Sequence, residues 1–110
     1  RKENESAFPI DGSLITMNED NYRQLLAEQL PENIKNPKKH RPLVLGFVIR
    51  DGKGNLDFQR ELHILTKTVY RNFAVAITDC HFERHICMHF KPPHHPALYL
   101  FVDGKLVRWT

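Results

Sequence analysis

Seven side chains able to bind a metal or act as nucleophile or base fall within sixteen residues: Cys80, His81, His85, Cys87, His89, His94 and His95. On a continuous helix His81, His85 and His89 would stack at i, i+4 spacing, so that two imidazoles and a third ligand from Cys80 or His94 could share a zinc ion. A closed zinc site needs four converging ligands, and this spacing matches no zinc module. No metal is therefore expected, and the stripe reads as solvated histidines. Cysteine catalysis would need a base beside the thiol. The adjacent side chains of Cys80 and His81 diverge on either a strand or a helix, and Cys87 falls on an apolar side with Phe82, Ile86 and Phe90, where a thiol acts as a small buried hydrophobe. If both cysteines sit on one helix, seven residues at 1.5 Å rise put them about 10 Å apart, too far to bridge. No catalytic residue, metal or cofactor is expected. The competing reading is a metal- or thiol-dependent enzyme using residues 80–95.

The elements that must position these residues follow from apolar spacing. Leu14-Ile15-Thr16 reads as a short strand. Asn18 suits a helix N-cap, with Glu19 and Asp20 in the first turn and Tyr22, Leu25, Leu26 and Leu30 at helical spacing until Pro31. Pro42 to Ile49 is apolar on both faces and reads as a central strand. After the turn from Asp51, Asn55 is placed to cap a helix whose face is Phe58, Leu62, Leu65 and Val69. Phe73 to Thr78 is a third buried strand, parallel to the central one through a right-handed crossover. Phe82, Ile86, Cys87 and Phe90 mark a third helix, ended by Pro92-Pro93. Pro96 opens the apolar strand Ala97 to Val102, and Asp103-Gly104 makes a hairpin turn into Lys105 to Trp109. The order is βαβαβαββ, with residues 1–12 as a flexible lead-in and 13–110 as one domain.

Cys87, Phe90, Pro96, Phe101 and Gly104 resemble the second half of the thioredoxin fold: helix, short loop, proline, apolar strand, turn and returning strand. The pattern is most similar to protein disulfide isomerase relatives. The resemblance implies a three-layer α/β domain with a mixed sheet and a cis His95-Pro96 bond. Active members carry Cys-x-x-Cys at the start of the second helix, where the helix dipole helps generate a thiolate. Residues 49–56 contain no cysteine. What remains is similar to the non-catalytic, b-type domains. The resemblance thus implies a redox-inactive, non-enzymatic binding or scaffolding module of a secretory-pathway folding factor, in the endoplasmic reticulum lumen. His94, His95 and Pro96 would meet a protein client or partner domain. The family's C-terminal helix has no counterpart after Trp109. The sheet face beside it, with Trp109, is expected to pack against a second copy, the lead-in segment folded back, or the next domain of a longer parent.

Composition excludes other classes. The 110 residues are 41% apolar and 26% charged, which marks ordinary globular material. No run reaches the roughly 18 apolar residues of a membrane helix, so no membrane partner is expected. Net charge is only +3, with its densest cluster at Lys35 to Arg41 between prolines. A nucleic-acid reader normally shows a broader basic face with interleaved aromatics, so none is expected as a partner. Asn4-Glu5-Ser6 is a glycosylation sequon of the kind used in secreted chains. With neither an initiator Met nor a signal-peptide pattern, the sequence is expected to be a mature chain or an excised piece.

Overall fold

The computed structural model describes residues 12–34, 40–49, 54–102 and 105–108. The elements are β1 (Ile15–Thr16), α1 (Tyr22–Ala27), a 3-10 turn (Pro31–Asn33), β2 (Leu43–Val48), α2 (Asn55–Val69), β3 (Ala74–Asp79), α3 (Arg84–Phe90), β4 (Ala97–Val102) and β5 (Lys105–Arg108). One five-stranded sheet has the order β1-β3-β2-β4-β5. β1, β3 and β2 are parallel, β4 pairs antiparallel with β2, and β5 pairs antiparallel with β4. This is the expected mixed α/β sandwich, and among the described residues no helix follows β5.

β2 is the centre because both of its faces are apolar, and all six residues are buried. Leu43, Leu45 and Phe47 join Leu25 of α1, Ile86 of α3 and Tyr99 and Phe101 of β4 in one cluster. Val44 and Val48 join Leu62 of α2 with Val75 and Ile77 of β3 in the other. The two clusters define three layers: α1 and α3, the sheet, and α2. Gly46 permits the close approach of α2, since a Cβ there would lie 2.8 Å from Leu62 Cδ2 and 2.9 Å from Phe58 Cε2. The far end of α2 is tied down by Arg41, whose Nη1 donates to the Tyr70 carbonyl at 2.8 Å. Burial pushes this guanidinium below its ordinary pKa, with Glu28 opposing the shift.

Three expected details differ. The α1 helix is only six residues long and Asn18 does not cap it. The Asn18 carboxamide oxygen accepts the N–H groups of Asp20 and Asn21, while Asn21 Oδ1 accepts the Asn18 N–H at 2.8 Å. These local bonds favour a turn over helix and delay the start of α1. Leu30 consequently falls beyond the helix and is 38% exposed. Asn55 does not cap α2 either: Gly54, at φ 81°, holds that position. Asn55 is buried and uses its side-chain oxygen to accept the Ile49 N–H at 2.8 Å, closing the end of β2. Finally, Phe82 precedes α3 and is 56% exposed, so it is not part of the apolar side of that helix.

Candidate functional site

The third difference rearranges the chemistry. Cys80 follows β3 directly, and its N–H donates to the Val48 carbonyl at 2.8 Å, adding one rung beyond the β2–β3 ladder. Asp79 then reverses the chain. Its carboxylate accepts the His81 N–H at 2.9 Å, and its carbonyl accepts the N–H groups of Phe82 and Glu83 at 3.1 and 2.8 Å. α3 therefore starts only at Arg84 and runs back past the end of β3. Cys87 comes to lie with its Cα 5.6 Å from that of Cys80, and the two form a disulfide. That separation is within the range a bridge spans.

This corrects the reading of the two cysteines. The 10 Å separation assumed one uninterrupted helix, whereas a turn at 79–83 lies between Cys80 and α3. A bridged pair is a thiol–disulfide couple. The expectation of a redox-inactive domain, and of a non-enzyme inferred from it, does not stand. The couple belongs to the third helix and not to the second, where the family pattern places its cysteines. Both residues are half-buried and pack on the cluster formed by Ile86, Phe47 and their neighbours.

The histidines separate. His81 lies in the turn, outside α3, with its ring edge-on to Phe82 at 4.9 Å. His85 Nδ1 meets the Glu19 carboxylate at 3.1 Å, and Glu83 Oε1 accepts the Glu19 N–H at 3.0 Å. The loop before α1 is thereby linked to α3. His89 packs edge-on to Phe90 at 4.9 Å. Among the described residues no three His, Cys, Asp or Glu side chains converge on a metal-sized position. The helical stack behind the zinc alternative is not formed, because His81 is not helical.

The His95-Pro96 peptide bond is cis. His94 is exposed, and its Nδ1–H donates to the Pro96 carbonyl at 2.8 Å. His95 is half-buried with Nε2 out of solvent and without a hydrogen-bond partner among the described residues. The register sets the place of this loop. Phe47 pairs with Ala97 and Val48 with Asp79, so residues 94–96 and the Cys80 turn lie at the same end of the sheet, the C-terminal end of β2. The start of α2 is joined to that end through Asn55. Trp109 lies outside the described residues, as does the Asp103-Gly104 turn. The signal for the bridge was Asp79 itself, since Asp readily opens a turn by accepting the N–H two residues on. No helix among the described residues is long and apolar enough to cross a membrane.

No protein-family profile and no curated protein sequence matches the chain. Its fold does have solved counterparts. A J-Trx1 fragment of ERdj5 superposes with a TM-score of 0.72 at 15% identity, over 91% of this chain and 45% of that one. This chain therefore spans less than half of that fragment. The short form of spinach chloroplast thioredoxin f gives 0.71 at 13% identity, covering 90% of this chain and 80% of its own. The first thioredoxin domain of mouse protein disulfide-isomerase A4 gives 0.70 at 16% identity, covering 100% and 73%. At these identities the likeness concerns architecture alone, and the architecture of this chain is thioredoxin-like.

Proposed function

We propose that this chain is a thiol–disulfide exchange domain that uses Cys80 and Cys87, and that protein clients meet it over His94, His95 and Pro96. The observation that carries the reading is the Cys80–Cys87 bridge at the same end of the sheet as the cis-proline loop. A client thiolate attacks one sulfur of the bridge, forming a mixed disulfide and releasing the other sulfur as a thiolate that takes up a proton. A second client thiolate then attacks the mixed disulfide. The client leaves oxidised by two electrons, and the domain retains both thiols. A disulfide persists in oxidising compartments. Together with the structural likeness to a disulfide-isomerase domain, this favours the endoplasmic reticulum lumen as its address.

Equilibration in glutathione and dithiothreitol buffers, followed by acid quenching, alkylation and intact-mass measurement, tests the reading. Half-reduction between about −180 and −270 mV, the span of exchanging couples, is expected. In a Cys87→Ser variant the Cys80 thiolate should attack the disulfide of an oxidised dithiol peptide, release the peptide's other sulfur as a thiolate and remain trapped as a mixed disulfide. A bridge still closed below about −300 mV, where structural disulfides lie, and no trapped adduct would make it a clasp and overturn the proposal.

A further inference from the structure

A second surface lies at the opposite end of the molecule from the cis-proline loop. α1 and α3 sit on the same face of the sheet and leave a cleft of about 320 Å³ between them. Phe101 of β4 lies in it at the level of Leu43, the first residue of β2. Leu26 and Leu30 line one side and Phe90 the other, so the interior is apolar. Arg23 from α1 supplies a cation to the lining and His89 from α3 an imidazole, and among the described residues no carboxylate lines it. Arg23 rests over its neighbour Tyr22, with the guanidinium carbon 5.7 Å from the ring centroid and Nε–H donating to the hydroxyl at 3.3 Å. These contacts hold the charge beside the cleft. Among the described residues no carboxylate lies within ion-pair distance of it.

We propose that this cleft binds a small amphiphilic anion, a carboxylate with an apolar body, with its chain against Phe90 and Phe101 and its charge on Arg23. Its volume is at the lower end of the range of small-ligand sites, and an apolar interior with few polar groups is what such ligands require. Charge complementarity selects the anion over an alcohol of the same length. It also selects against a second copy, because a two-fold contact through the cleft would bring the Arg23 guanidinium of each copy towards its own counterpart.

Octanoate, titrated into the oxidised chain by calorimetry and followed by amide chemical shifts, is the test. Saturable one-to-one binding at or below about millimolar concentration is expected, with shifts confined to α1, α3 and β4. Octanol should bind about fivefold more weakly, and Arg23→Gln should remove that preference. Ala27→Trp, which fills the cleft, and Leu30→Glu, which sets a carboxylate at an exposed position on its margin, should each abolish binding. Equal affinity for octanoate and octanol, binding that survives both variants, or no saturation overturns the proposal. So does a concentration-dependent dimer that Leu30→Glu dissolves, since the cleft would then be an interface between copies.

Discussion

Opening the Cys80–Cys87 bridge should destabilise the fold by an amount its position in the chain determines. The cysteines are seven residues apart, so the bridge closes a loop of eight residues including both. In the chain-entropy account, a loop of that length removes about 8 cal/mol/K from the unfolded chain, or about 2.5 kcal/mol at 25 °C. A domain of this length unfolds with an entropy of about 0.23 kcal/mol/K, so the reduced protein should melt about 11 °C lower. Thermodynamic linkage makes the same free energy a property of the couple. Folding favours the disulfide by about 2.5 kcal/mol, and the couple in the folded domain should lie about 50 mV below the same couple in the urea-unfolded chain. Calorimetry with and without dithiothreitol gives the first number, and glutathione titrations in water and in urea give the second. The denaturant slope should also rise on reduction, because a chain without the cross-link exposes more surface when it unfolds. A melting difference below about 3 °C would refute the reasoning, for α3 would then be held by its packing alone.

Gly46→Ala should cost about 1 to 3 kcal/mol in urea denaturation, because the new Cβ would sit 2.8 Å from Leu62 Cδ2 and either α2 or its side chains must shift. Asn55→Ala should cost about 1 to 3 kcal/mol, by leaving the Ile49 N–H without the 2.8 Å acceptor that closes the end of β2. Ile86→Ala, at a fully buried position, should cost about 2 to 5 kcal/mol in the same measurement. His95→Phe should change stability by less than about 1 kcal/mol, because the imidazole Nε2 that it removes is buried without a partner; a larger loss would show that this nitrogen is bonded in solution.

The sheet was legible in the sequence because burial on both faces leaves an unbroken apolar run. Leu43–Val48, Ala74–Asp79 and Ala97–Val102 all lie within a residue of where that signal puts them. α2 was legible for the converse reason, since Phe58, Leu62, Leu65 and Val69 recur with the helical period along a helix of fifteen residues. The short helices were not. In α1 the polar pair Asn18 and Asn21 satisfies itself locally, a competition that periodicity does not register. In α3 Phe82 extended the apolar repeat by one turn although it lies in the preceding turn, mostly in solvent. That misplacement put a bridged pair beyond bridging distance, while the redox-inactive reading rested on the lack of a cysteine in residues 49–56.

Where the couple sits also determines what its redox state can influence. An isolated helix of seven residues is far below the length at which helices persist in water, so α3 depends on its tertiary ties. It has one fully buried residue, Ile86, and one aromatic contact to the central strand, Phe90 on Phe47 at 5.6 Å. The bridge is its covalent tie to β3, and the His85–Glu19 pair is an exposed one worth little. Reduction therefore loosens the element that supplies His89 and Phe90 to the α1–α3 cleft, while α2, which packs with Val44 and Val48 in the cluster that does not include the cysteines, keeps its place. A couple at the start of α2 would act on the other layer. Placed on α3, it joins the two ends of the molecule through one short helix.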